Sequence, residues 1–175
     1  MRCCSGTARL ARQAPEHFTV TGIVTRSAER SEVVEREWGA RSFRSVAELT
    51  SAEQPEFVIP RVPWAQMATT TIECVDQGLR VLAETPPAAD LDGLRQLSSR
   101  VGQTELVQVA EQYLLMPAHA ARRSLLREGV IGDVTSVQVS STRLYHAVSM
   151  IRGMLDVGLG QVRVNAQSFI PPLAN

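Results

Sequence analysis

The fold is decided by the stretch Gly78-Leu79-Arg80-Val81-Leu82-Ala83-Glu84-Thr85-Pro86. Gly78 predicts the end of a helix over 64–77, because glycine is the common residue just past a helix C-terminus. Residues 79–83 are apolar apart from one arginine, which is the pattern of a parallel strand covered on both faces. An acid, a threonine and a proline then follow at the carboxyl end of this strand, where open α/β sheets bind ligands. The stretch therefore predicts a buried strand that leads into a functional loop.

Short apolar strands alternate with helical segments on both sides of this stretch. The predicted strands cover 18–24, 57–59, 79–83 and 106–109. The predicted helices cover 7–13, 28–38, 46–49, 64–77 and 91–101. Alternation at this spacing requires right-handed crossovers between parallel strands. The fold class is therefore α/β, a Rossmann-like doubly wound parallel sheet.

The pattern changes beyond residue 113. A helix over 118–128 ends at Gly129, and 134–139 and 162–166 alternate apolar and polar residues, which predicts strands with one wet face. A short helix over 146–155 lies between them. We therefore expect a Rossmann-like domain over 1–112, a fold that binds dinucleotides, and the start of an α+β domain over 113–175.

Both predicted domains look incomplete. A dinucleotide-binding sheet begins with a strand that leads into G-x-G-x-x-G, and this strand takes a central place in the sheet. Met1 stands where that loop should already have begun, and Gly6 is the one glycine that fits as its remnant. The second domain stops at Asn175 after two strands. The sequence predicts a sheet that lacks its first strand, and chain ends that need not be natural termini.

Composition excludes several classes of protein. The chain is 44% hydrophobic and 21% charged, which is typical of a globular protein. Eighteen basic residues balance 18 acidic ones, so no overall field attracts nucleic acid or an anionic membrane. No apolar run approaches the roughly 20 residues of a membrane span. Three cysteines without metal-ligand spacing predict no metal site and reduced thiols in a cytoplasmic protein.

All 18 basic residues are arginine, so the chain contains no lysine. This excludes a Schiff-base lysine, a P-loop lysine and a lysine general acid. Arginine cannot replace lysine as a proton donor, because the pKa of its guanidinium lies far above neutrality.

Residues 77–86 resemble the segment "aGkhVlvEKP" of the Gfo/Idh/MocA oxidoreductases, the relatives of glucose–fructose oxidoreductase and inositol dehydrogenase. The opening of that family's second domain, "p…li..G.iG.i", is similar to a second set of residues here. These residues are Pro117, Leu125, Leu126, Gly129, Ile131, Gly132 and Val134. The resemblance spans about 18–169.

The resemblance implies an NAD(P)-dependent oxidoreductase that passes hydride between a nicotinamide and a small-molecule substrate, a sugar-like alcohol or a cyclic imine. It also implies that 113–175 begins a substrate and dimerisation domain, with a possible homo-oligomer through the sheet of that domain. The alternative is a non-catalytic remnant of the family that binds a dinucleotide or a partner without turnover.

The family's catalytic segment is only partly present. Glu84 is retained beside the expected nicotinamide cleft, and Pro86 fixes the turn after it, but Thr85 replaces the family's lysine. Threonine can orient a hydroxyl and cannot act as a cationic proton donor. A branch of the family that reduces cyclic imines also dispenses with this lysine, which keeps the enzyme hypothesis open.

A second catalytic motif of the family, "D-x-x-x-H", places its histidine on His146 and its aspartate on Thr142. His146 is then the candidate acid or base, with Tyr145 beside it, because imidazole titrates near neutrality. The alternative is that His146 caps or packs the start of a helix.

Candidate cofactor contacts follow two of the predicted strands. In dinucleotide sites an acid at the end of the second strand favours NAD and an arginine favours the 2′-phosphate of NADP. The chain has Thr25, Arg26 and Ser27 there, and a guanidinium with two hydroxyls suits a phosphate monoester. NADP is therefore preferred over NAD, the alternative being an exposed arginine beside a helix cap. Arg61, between two prolines, is a candidate for a cofactor phosphate or a substrate carboxylate, or is simply solvated.

Overall fold

The computed structural model of the chain describes residues 5–142, 144–158 and 160–167. Met1, the adjacent Cys3 and Cys4, the last residue Asn175 and the predicted end of the resemblance at 169 lie outside this part. The chain divides into two compact units, Met1–Glu111 and Gln112–Asn175.

All described strands of the first unit are parallel, as the sequence predicts. β1 (Gly22–Val24) pairs with β2 (Arg41–Phe43), and β3 (Val81–Ala83) pairs with β4 (Val107–Val109). Val58 forms a single parallel bridge with the first residue of β3. The predicted strand over 57–59 is therefore reduced to one bridge, and the strand predicted over 18–24 is reduced to its last three residues. The strand β2 was not predicted.

The strand order matches the dinucleotide-binding sheet with one place empty. The order 3-2-1-4-5-6 numbers the strands of such a sheet as they follow one another along the chain. By this numbering, β2 and β1 take places 3 and 2, whereas Val58, β3 and β4 take places 4, 5 and 6. Within the part of the chain that the structure describes, no strand takes place 1. The two pairs consequently form two separate sheets, and the prediction of a Rossmann-like α/β fold is confirmed.

Local signals in the sequence account for the helices of this unit. Gly39 and Gly78 end two of them in the left-handed conformation, with φ of 63° and 78°, which glycine adopts without strain. The side chain of Asp90 caps another by accepting a hydrogen bond from the Gly93 amide at 2.8 Å. The helices are α1 (Ser5–Gln13), α2 (Ala28–Trp38), α3 (Val46–Ala52), α4 (Trp64–Asp76) and α5 (Leu91–Val101).

The core of the first unit is built around β3. Val81 and Ala83 are 2% and 0% exposed, so this strand is buried as its apolar sequence predicts. Val46, Cys74 and Leu79 complete one buried cluster with it. A second cluster joins α4, α5 and Ala88, which follows the loop after β3; its members are Ala68, Ala88, Leu97 and Val101.

Among the described residues of the second unit, two helices and a short 3₁₀ turn (Tyr113–Leu115) form the regular structure. The helices are α6 (Pro117–Arg127) and α7 (Leu144–Leu155). Gly153 allows α7 to pack against the turn, because a Cβ at this position would lie 2.5 Å from Leu114 Cδ1.

The prediction of strands over 134–139 and 162–166 was wrong. Both segments are irregular in the structure, and Val162 and Val164 are 67% and 78% exposed. An alternating strand is stable only when neighbouring strands pair with it and an apolar layer covers one face. The described residues of this unit supply neither, so the sheet through which oligomers were predicted to form is missing from the part of the second unit seen here.

Candidate functional site

Three loops of the first unit carry the predicted cofactor residues other than Gly6, and each follows a parallel strand or bridge. They are the loop after β1 (25–27), the segment after Val58 that contains Arg61, and the loop after β3 (84–86). Ligands bind at this edge in open α/β sheets, because the carboxyl ends of parallel strands meet there.

The structure brings Arg61 and Glu84 together. Arg61 Nη1 donates directly to Glu84 Oε1, and the two side chains are 31% and 36% exposed. The contact joins the segment after the Val58 bridge to the loop after β3. Because both groups remain accessible to water, the contact fixes geometry more than it stabilises the fold.

Thr85 and Pro86 lie in the same loop, both half-buried, and the peptide bond between them is cis. The hydroxyl of Thr85 can orient a bound hydroxyl group but cannot supply a proton as a cation would. The roles predicted for these two residues and for Glu84 stay predictions.

The loop after β1 is held by a small hydrogen-bond network. Thr25 is 8% exposed, and its hydroxyl lies 2.9 Å from Ser31 Oγ and donates to the Ser27 carbonyl at 3.2 Å. Ser27 stands at the N-cap of α2, although its side chain makes no capping hydrogen bond. Thr25 therefore supports the loop from inside, whereas Ser27 is half-buried at its surface.

Arg26 is the exposed member of this loop. Its Nη2 donates to Gln66 Oε1 in the first turn of α4. An exposed guanidinium beside the N-terminus of α2 suits an anionic group, because the helix end and the arginine both favour negative charge. The donors present fit the 2′-phosphate of NADP, and binding by Thr25, Arg26 and Ser27 stays a prediction.

Sequence reasoning missed Arg44, which follows β2. Arg44 Nη2 donates to the Arg26 carbonyl at 2.7 Å, and its Nη1 donates to Ser31 Oγ at 3.4 Å. The available signal was the capping-box pattern Ser45-x-x-Glu48, which marks a helix start and places Arg44 just before it.

Gly6 lies elsewhere than predicted. It was expected in the remnant of a phosphate-binding loop, whereas the structure places it inside the first turn of α1. A Cβ at Gly6 would meet no atom within 4 Å. The start of α1 is still the end of a helix at which phosphates bind in this fold, so its role in cofactor binding stays a prediction.

In the second unit, two tyrosine rings contact the ring of His146. His146 lies in the first turn of α7, and its centroid is 4.4 Å from that of Tyr145 and 4.6 Å from that of Tyr113. Tyr113 also lies 6.4 Å from the ring of His119, whose Nδ1 is 3.0 Å from Arg122 Nη1. The rings fix the orientation of the half-buried imidazole, and its catalytic role stays a prediction.

Two other kinds of feature are absent from the described residues. They contain no group of three or more histidine, cysteine or acidic side chains arranged to hold a metal ion. Nor does any helix among them have the length and apolar character to cross a membrane.

Solved structures similar to this chain share its fold. An oxidoreductase domain protein from Kribbella flavida has a TM-score of 0.68 and 18% identity over 85% of this chain and 50% of its own. The WlbA dehydrogenase from Bordetella pertussis, in complex with NADH and UDP-GlcNAcA, has a TM-score of 0.64 and 16% identity over 74% and 40%. The myo-inositol 2-dehydrogenase from Lactobacillus plantarum has a TM-score of 0.59 and 15% identity over 74% and 41%.

The chain thus spans half or less of the length of each of these three structures. No curated protein matches it. The model of the GFO_IDH_MocA family, an oxidoreductase family with an NAD-binding Rossmann fold, matches residues 5–112. This match confirms the predicted resemblance and covers more than half of the sequence. The chain therefore belongs to the Gfo/Idh/MocA family of oxidoreductases.

Proposed function

We propose that the protein is an NAD(P)-dependent oxidoreductase that acts on a sugar-like alcohol or a cyclic imine. The observation that carries the proposal is the family match over residues 5–112. Two similar structures support the substrate class, since one is a myo-inositol 2-dehydrogenase and the other holds NADH and UDP-GlcNAcA. A cytoplasmic location belongs to the proposal, and the free buried thiol of Cys74 supports it.

A bound nicotinamide would supply or accept the hydride. Arg26 and Ser27 would hold the 2′-phosphate of the cofactor, with Thr25 supporting their loop. Glu84, held by Arg61, would position groups beside the nicotinamide together with Thr85 and Pro86. In the second unit His146 would hold or release the proton, because imidazole is the side chain that titrates near neutrality.

A preference for NADPH over NADH tests the cofactor part of this proposal. Arg26→Ala removes a charge-assisted contact to the 2′-phosphate, worth roughly 1.5–3 kcal/mol, so NADPH affinity should fall about tenfold or more. NADH affinity should not change. We expect both cofactors to bind weakly, because the described residues contain no glycine-rich loop for the pyrophosphate.

The measurement is calorimetric titration of the full chain and of Arg26→Ala with both cofactors. Arg36→Ala is the matched control, since it removes the same charge in the last turn of α2, roughly 13 Å along the axis from Ser27. Equal affinities for NADPH and NADH in the unmodified protein would contradict the NADP preference. Equal losses in the two variants would assign the effect to net charge alone.

A second candidate function is binding without turnover. The observation that favours it is Thr85 in place of the family's lysine in a chain that contains no lysine. Nicotinamide absorbance, followed with inositols, nucleotide-linked sugar acids and cyclic imines, separates the two candidates. Turnover of any of them supports the oxidoreductase, whereas cofactor binding with no turnover across the panel supports the non-catalytic protein.

A further inference from the structure

We propose that Arg44 is a positioning residue that sets the preference for a 2′-phosphate by holding the backbone of Arg26. The inference rests on the proposed function, because it concerns the same cofactor subsite. It adds a residue that lies outside the loop 25–27 and that follows a different strand, β2.

The guanidinium of Arg44 contacts the loop at two points. Nη2 donates to the Arg26 carbonyl at 2.7 Å, and Nη1 donates to Ser31 Oγ at 3.4 Å. Ser31 Oγ in turn lies 2.9 Å from Thr25 Oγ1 and donates to the Ser27 carbonyl at 3.3 Å. One side chain therefore contacts both Arg26 itself and the hydroxyl that joins the two ends of its loop.

The backbone of Arg44 is itself fixed by the start of α3. Glu48 Oε2 accepts a hydrogen bond from the Arg44 amide at 2.7 Å, and Ser45 Oγ accepts one from the Glu48 amide at 3.0 Å. These two bonds form a capping box in which the acid bonds one residue further back than usual. Val46 and Leu49, 8% and 5% exposed, anchor the helix in the core. The guanidinium of Arg44 is therefore presented to the loop from a rigid element.

This arrangement predicts an effect on selectivity rather than on binding in general. Arg26 is exposed and its side chain is long, so a contact with a phosphate depends on where its backbone is held. A ligand with a 2′-phosphate uses Arg26, whereas an adenosine without that phosphate does not. Loss of Arg44 should therefore lower the affinity for the ligand with a 2′-phosphate and leave the affinity for the other ligand unchanged.

The test uses the full chain with adenosine 2′,5′-bisphosphate and adenosine 5′-monophosphate as probes. In the unmodified protein we expect the bisphosphate to bind about tenfold more tightly. In Arg44→Ala the ratio of the two affinities should fall at least about fivefold, while the affinity for the monophosphate stays the same. Arg36→Ala should leave this ratio unchanged. Arg44→Lys should restore part of the ratio, because lysine supplies a charge and no planar pair of donors.

The outcomes separate the two claims. A normal preference in the unmodified protein that persists in Arg44→Ala overturns the role of Arg44 and leaves the NADP preference standing. No preference in the unmodified protein overturns both. An equal loss for both probes shows that Arg44 only supports the fold, which also overturns the inference. If Arg44→Ala does not fold, Arg44→Met keeps the aliphatic stem and gives the same test.

Discussion

Gly22→Ala probes the strand that leads into the proposed cofactor loop. Gly22 begins β1, and a Cβ added there would lie 2.5 Å from Phe43 Cε2 and 2.8 Å from Leu49 Cδ1. Carbon atoms in contact lie about 3.5–4.0 Å apart, so the new methyl group is roughly 1 Å too close. Phe43 and Leu49 are 3% and 5% exposed, and neither side chain can move into solvent without opening the core.

The expected cost follows from this overlap. Extra methyl groups in a packed core destabilise by about 1–3 kcal/mol. For a chain of this size each kcal/mol lowers the melting temperature by about 2–4 °C, so Gly22→Ala should lower it by about 2–12 °C. Because Phe43 belongs to the neighbouring strand β2, displacement of its side chain by the new methyl group should also loosen the pairing between β1 and β2.

Urea unfolding followed by tryptophan fluorescence measures this cost directly. The two tryptophans, Trp38 and Trp64, both lie in the first unit, so the signal reports the part of the chain that contains Gly22. Gly6→Ala is the control: its Cβ would meet no atom within 4 Å, and alanine favours a helix by up to about 1 kcal/mol over glycine. If Gly22→Ala were as stable as the unmodified protein, the close packing of β1 against Phe43 and Leu49 would be refuted.

Two further predictions concern single ionisable side chains. Burial raises the pKa of the Cys74 thiol from 9.0 to about 11. In a variant with Cys3 and Cys4 replaced by serine, alkylation of Cys74 at about pH 8 should therefore be about 100-fold slower in the folded than in the urea-unfolded protein, because the thiolate is the form that reacts. Equal rates would contradict that burial. His146→Ala should abolish hydride transfer while NADPH affinity stays the same, if His146 is the proton carrier. A lower melting temperature with an unchanged rate per folded molecule would instead show that His146 only packs the start of α7.

Helix ends were the most predictable part of the fold, because single residues decide them. Gly78 was predicted to end α4 and has a φ of 78°, and the helix predicted over 91–101 is α5, which Asp90 caps. Helix α2 has the bounds that the sequence predicts, Ala28–Trp38. Each of these signals acts within one turn of the backbone, so no knowledge of the tertiary structure is needed to interpret them.

Strands were less predictable, because their pairing depends on residues far away in the sequence. Arg41–Phe43 contains one apolar residue, so β2 has no apolar run of its own, and it exists because β1 pairs with it. The opposite error occurred in the second unit, where the segments over 134–139 and 162–166 have the right alternation but no strand beside them among the residues that the structure describes. A period-two pattern states which face a strand would bury, not whether a partner is present.

The candidate site was predictable where it consists of strand ends and not where it consists of long-range contacts. Arg61 and Glu84 were each identified from their own surroundings, but their contact joins residues 23 positions apart. Arg44 lies 18 positions from Arg26 and follows a strand that no sequence pattern predicted. Tyr113 lies in a 3₁₀ turn distant in sequence from α7, and its ring contact with His146 has no local signature.

The distribution of these residues lets cofactor recognition and proton transfer be tested independently. Arg26, Arg44 and the Arg61–Glu84 contact belong to the first unit, whereas His146 and its tyrosine neighbours belong to the second. The proposed function therefore predicts that variants of Arg26 and Arg44 change NADPH selectivity, and that His146→Ala changes the rate at fixed cofactor affinity. A protein that only binds would show the first effect and no rate to lose. Thr85 makes this comparison informative, because with the family's lysine absent His146 is the proton donor that we propose for turnover.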